Sequence, residues 1–105
     1  MKLKLSTYED TNWIILNNII QYRKVNGVVY MVLENSNKVN AKANEYTTVG
    51  TLPVGFRPRI ATPMFVNEYG GEPFGTSSRI DPTGEIKIYI TRDSSYFQAI
   101  VSFPI

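Results

Sequence analysis

Asn26-Gly27 lies between two runs that alternate apolar and polar residues, Ile19 to Val25 and Val28 to Glu34, and it constrains the chain more than any other feature. A two-residue hairpin loop of type I′ needs positive φ at both central positions, and Asn-Gly supplies it with a twist that matches the flanking strands. So short a loop also fixes register: Val25 falls opposite Val28, Lys24 opposite Val29, Tyr22 opposite Met31 and Ile20 opposite Leu33. One face of the hairpin then carries Ile20, Tyr22, Val29, Met31 and Leu33. The other carries Gln21, Arg23, Val28, Tyr30 and Val32, which is more apolar than a water-facing sheet requires. Its cover is either a second sheet or loop, or a neighbouring subunit.

The rest of the chain repeats this grammar of short runs bounded by Gly, Pro, Asn, Asp and Ser. Asn12 to Leu16 reads as a strand with Trp13 in the core, and Asn35 to Glu45 as a polar loop with room for a helical turn. Tyr46 to Leu52 and Ile60 to Val66 read as strands, the second at an edge or a bulge because Pro63 lacks a ladder donor. Glu68 to Pro73 reads as a loop and Gly75 to Ile80 as a weaker strand. Asp81-Pro-Thr-Gly84 matches a type I turn, with Pro second and Gly fourth. Glu85 to Ile90 alternates with Ile86, Ile88 and Ile90 on one side, and Phe97 to Phe103 places Phe97, Ala99, Val101 and Phe103 on one side. The last of these is predicted to lie inside a sheet or at a contact between subunits. No stretch sustains a helical period. The predicted fold is all-β, an antiparallel β-sandwich or barrel, jelly-roll-like, of about eight strands. The 105 residues form a single domain, with residues 1–10 as an N-terminal arm or linker.

Composition narrows function mainly by exclusion. Histidine and cysteine are both absent, which removes the common zinc ligands, the usual neutral-pH general base and the Ser-His and Cys-His nucleophile pairs. Eleven basic and nine acidic residues leave a net charge of +2 spread along the chain, a balance that asks for neither nucleic acid nor an anionic membrane. Met1-Lys2-Leu3-Lys4-Leu5 alternates its lysines with leucine and is followed by no apolar stretch of signal-peptide length. The longest apolar run, Val28 to Leu33, is far short of the roughly 20 residues of a membrane helix.

Candidate chemistry is sparse. Paired carboxylates would need one acid with a raised pKa facing another across a cleft. Glu9 with Asp10, Glu68 with Glu72, and Asp81 with Glu85 are the pairs available, and each reads more simply as solvated loop or turn residues. No calcium loop or phosphate cradle is present, so no catalytic residue, metal or cofactor is predicted. Phe56, Arg57 and Arg59 are too tightly bracketed by Pro53, Gly55 and Pro58 to form a nucleic-acid stacking platform. A sugar site takes exposed aromatics against pyranose faces and planar polar groups for hydroxyls in a shallow pocket. Tyr69 and Glu72 in one loop, with Arg92, Asp93 and Tyr96 in another, supply those residue types, as ordinary solvated loops also do.

Five stretches in order carry a resemblance: Trp13-Ile-Ile-Leu16; Gln21-Tyr-Arg-Lys24 with Asn26-Gly-Val-Val-Tyr30; Gly50-Thr-Leu-Pro-Val-Gly-Phe-Arg-Pro58; Arg79-Ile-Asp-Pro-Thr-Gly-Glu-Ile86; and Ser102-Phe-Pro-Ile105. Together, from Trp13 onwards, they resemble the carboxy-terminal head domain of tail-fibre, minor structural and baseplate receptor-binding proteins of phages and prophages, especially of Gram-positive hosts. The Leu52-Pro53-Val54-Gly55-Phe56-Arg57-Pro58 stretch is the most specific piece, and reads physically as a structural corner: Leu52 anchors a strand end, the prolines stiffen the turn, Gly55 permits a tight backbone and Phe56 tucks beneath. The resemblance implies a β-sandwich or barrel head, usually a homotrimer, that binds host cell-surface polysaccharide without catalysis. It also implies a place on the virion tail beside other tail or baseplate proteins, after assembly in the bacterial cytoplasm. Some related heads use a histidine beside Asp, Arg and Trp in the sugar pocket; this chain has none, so no contact motif carries over. Two other roles compete: a structural cap or trimerisation domain without receptor contact, and a secreted carbohydrate-binding module.

Overall fold

The hairpin turn organises the larger of two sheets. In the computed structural model, which describes residues 8–34, 41–68, 78–92 and 96–105, Asn26 and Gly27 take φ values of 48° and 78°, as a type I′ turn requires. The described strands are β1 (Ile14–Ile15), β2 (Ile20–Val25), β3 (Val28–Glu34), β4 (Tyr46–Thr51), β5 (Thr62–Pro63), β6 (Asn67–Glu68), β7 (Arg79–Ile80), β8 (Glu85–Tyr89) and β9 (Phe97–Pro104). No helix occurs among the described residues. Every strand pairing is antiparallel, giving a five-stranded sheet in the order β1-β2-β3-β9-β6 and a four-stranded sheet in the order β4-β8-β7-β5. The β2–β3 register is the one the turn dictates, Val25 opposite Val28 through Ile20 opposite Leu33.

The two sheets bury one core between their facing sides. The larger sheet contributes Ile20, Tyr22, Val29, Met31, Leu33, Phe97, Ala99 and Phe103; the smaller contributes Ile80, Ile86 and Ile88, with Ile90 just beyond its edge. Clean alternation selects these residues: in β9, Phe97, Ala99 and Phe103 are buried while Gln98, Ile100 and Ser102 are exposed. β9 lies between β3 and β6, so the predicted interior position of that strand is the observed one. Asn17 ties the sheets together. Its Oδ1 accepts from the backbone N–H groups of Ile19 and Ile20, each at 3.0 Å, and its Nδ2 donates to the Val49 carbonyl at 2.9 Å.

Three sequence expectations need correction. Ile60 to Val66 is not one strand: Thr62–Pro63 pairs with β7 in the smaller sheet, and after Val66 the chain pairs through Asn67–Glu68 with β9 in the larger. The segment is a crossing between layers, anchored by fully buried Met64 and Val66. Pro63 does sit on an edge strand, where its missing donor costs nothing. Glu68 belongs to β6 and not to a loop. Trp13 is not a core residue: it is 46% exposed and neighbouring Ile15 is 74% exposed, because the pleat turns Ile14 inward and its neighbours out. Residues 35–40 of the predicted polar loop and 75–77 of the predicted weak strand lie outside the described residues.

Candidate functional site

The Leu52 to Pro58 stretch forms a tight corner between β4 and β5. Leu52 is fully buried, Phe56 N–H donates to the Pro53 carbonyl at 3.1 Å, and Gly55 has φ 96°. The Phe56 ring meets Tyr22 edge to face, 4.9 Å between centroids, and Lys24 Nζ lies 4.7 Å over it. Arg57 Nε donates to the Leu52 carbonyl at 2.8 Å, while Leu52 N–H donates to the Gly84 carbonyl at 2.9 Å. The corner is therefore clamped against the Asp81–Gly84 turn, where Gly84 N–H donates to the Asp81 carbonyl at 2.8 Å and Gly84 takes φ 89°. The polar and aromatic groups of this motif face other parts of the chain.

Glu9, Asp10 and Asp81 are engaged in the same structural manner. Glu9 grips the hairpin turn: its carbonyl accepts from Asn26 N–H, its Oε1 accepts from Gly27 N–H, and its own N–H donates to Asn26 Oδ1, all at 3.0 Å. Arg23 makes a two-pronged ion pair with Asp10, Nε to Oδ1 at 2.8 Å and Nη2 to Oδ2. That guanidinium, together with the Asn12 N–H, holds the Asp10 carboxyl below the usual aspartate range. Asp81 accepts from Lys87 Nζ at 2.9 Å and Arg79 Nε at 2.8 Å, and these cations, Lys87 foremost, depress its pKa in the same way. Arg79 in turn donates to the Tyr46 hydroxyl at 2.9 Å and stands 4.6 Å over its ring, so this cluster satisfies itself. Among the described residues no three acidic side chains gather in a way that could hold a metal ion.

Of the loop residues predicted as a sugar site, Tyr69, Glu72 and Asp93 lie outside the described residues. Arg92 and Tyr96 are both exposed, Tyr96 directly before β9. At this end of the larger sheet Tyr96, Gln98 and Ile100 are exposed while Phe97 and Ala99 are buried. Here the outer face holds a groove of about 370 Å³, lined by Val32 and Glu34 of β3, Gln98 and Ile100 of β9, Asn67 of β6, and Phe65 from the crossing segment. A recess of about 210 Å³ shares Val32 and Glu34 and adds Asn18 and Gln21. None of Phe65, Asn67, Gln98 or Glu34 is in the sequence-based site. A hint was present in Met64-Phe65-Val66, where alternation sends the central aromatic away from two buried neighbours. The grouping itself depends on the pairing β3-β9-β6, which joins residues far apart in the chain.

A second concave surface, of about 540 Å³, lies at the opposite end of β9 between the 58–63 segment and Ser102 to Pro104. Its rim includes Ile60, 75% exposed. No protein-family model matches this chain, and no curated protein matches it.

Proposed function

We propose that this chain is a non-enzymatic adhesion head of a phage or prophage tail device, docking as a homotrimer to host cell-surface polysaccharide. The observation that carries the reading is the apolar surface left outside the core near the hairpin turn. There Val28 pairs with Pro104 across β3 and β9, Tyr30 and Ile105 are exposed, and Pro104 shares the concave surface at the end of β9 with exposed Ile60. Large apolar side chains exposed close together favour a protein contact, and identical chains are its commonest partner. A trimer presents three weak saccharide sites at high effective concentration, so a shallow site suffices. The five-stretch resemblance supports the tail assignment, and with it contacts to other tail or baseplate proteins. Asp10 and Asp81, tied into ion pairs, are driven towards ionisation, the reverse of what a general acid needs.

The test is a glycan array probed with the assembled chain beside a complete tail fibre of the same kind. Binding by both is the expected result. No binding by a verified trimer, with binding by the complete fibre, would leave only a structural cap and refute the adhesion role.

A further inference from the structure

We infer that the groove on the outer face of the larger sheet is the saccharide site, and that it takes neutral pyranosides and not the polyanionic polymers of a cell wall. This rests on the adhesion reading above and deepens it by naming the residues and the ligand class.

The first argument is Phe65. It is 66% exposed, yet its neighbours Met64 and Val66 are fully buried in the core. Met64 N–H also donates to the Ser78 carbonyl at 2.8 Å, and Asn67 pairs with Gln98. The crossing segment is thus pinned on both sides, and the ring is held out at the groove rim by the backbone. Ile100, 79% exposed, and Val32 continue the apolar floor. An aromatic face of this kind attracts the polarised C–H face of a pyranose.

The second argument is the polar set. Asn67 and Gln98 line the groove, and Asn18 and Gln21 line the adjoining recess. Each carboxamide offers a donor and an acceptor in one plane, matching hydroxyls that both donate and accept. None of the four makes a side-chain hydrogen bond to another described residue, in contrast to Asn17, which spends its amide on the fold. The volume falls at the lower end of small-molecule sites. The third argument is charge. Glu34 is the one charged side chain among the described lining residues of both hollows. A carboxylate accepts hydroxyl donors, and it repels phosphate and uronate chains.

Nuclear magnetic resonance on the full-length, isotopically labelled chain tests this directly, because the side-chain NH2 groups of Asn67, Gln98 and Gln21 give their own signals. The probes are neutral oligosaccharides containing glucose, galactose, rhamnose or N-acetylglucosamine, with polyglycerol phosphate as the anionic comparison. The expected result is a shift of those amide signals with a neutral sugar, and about tenfold weaker binding in Phe65→Ala. Gln98→Ala provides a second variant at an exposed position, and backbone spectra verify that both remain folded. Sugar binding that shifts signals elsewhere, or that Phe65→Ala leaves intact, overturns the groove and spares the adhesion reading. Tighter binding of polyglycerol phosphate overturns the ligand class. Loss of the oligomer in Phe65→Ala makes the groove a contact between copies and overturns the assignment. No binding of any glycan by the assembled chain overturns the groove and the adhesion reading together.

Discussion

Gly84→Ala should destabilise this protein far more than the same change at two other glycines with positive φ. At Gly84, φ is 89° and a Cβ would stand 2.4 Å from the Leu52 carbonyl oxygen and 2.7 Å from Arg57 Nε. The backbone conformation alone costs about 1–2 kcal/mol for an alanine. Relieving the clash requires the corner to move away from the turn. That would break the 2.9 Å bond from Leu52 N–H to the Gly84 carbonyl, worth about 1 kcal/mol. It would also disturb the 2.8 Å charged bond from Arg57 to the Leu52 carbonyl, worth about 1.5–3 kcal/mol. The expected loss is about 3–6 kcal/mol, a large part of the roughly 5–15 kcal/mol that holds a domain together. Gly55 and Gly27 have φ values of 96° and 78° with open space where a Cβ would sit, so Gly55→Ala and Gly27→Ala should each lose only the backbone cost. In urea, with a slope of about 2 kcal/mol per molar, the Gly84→Ala midpoint should fall by about 1.5–3 M and the two controls by about 0.5–1 M. Equal shifts at Gly84 and Gly55 would refute the clamped corner.

Other consequences are open to equally direct measurement. Asn17→Ala should lower stability by about 2–3 kcal/mol in urea unfolding, and Asn17→Asp, which keeps the acceptor for Ile19 and Ile20 but loses the donor to Val49, should lose less. Asp10 and Asp81 have depressed pKa values in the folded chain, so their ion pairs contribute fully above the ordinary aspartate value of 3.8, and that contribution drains away as pH falls through the depressed values. Unfolding followed from pH 7 to pH 2 should show this acid loss, and Asp81→Asn should have lower neutral stability with a shallower acid slope. Tyr30→Glu combined with Ile60→Asp places charge on the apolar surface near the hairpin turn and should yield a folded monomer in sedimentation experiments.

What could be read in advance divides along physical lines. The β2–β3 register was legible because Asn26-Gly27 allows one short turn and a slip by one residue would reverse both faces. The inward side of β9 was legible for a similar reason, since Phe97, Ala99 and Phe103 alternate with polar Gln98 and Ser102, although Ile100 on the outward side breaks the pattern. The path of the 60–66 segment was not, because alternation says which residues are buried and not which sheet they join. Trp13 misled because apolar character does not distinguish a core strand from a two-residue edge strand with one face in water. The groove was the least legible feature, since Glu34, Phe65, Asn67 and Gln98 meet only through long-range pairing. Tyr96 lies directly before the strand that carries Gln98 and Ile100 and is not among the described residues that line the groove.

The adhesion account depends on several weak sites acting from one assembly, so the mass of the chain in solution tests it most directly. Light scattering at working concentration should give about three times the 11.9 kDa of one chain. A mass of one chain would contradict the trimer and take the multivalent adhesion head with it.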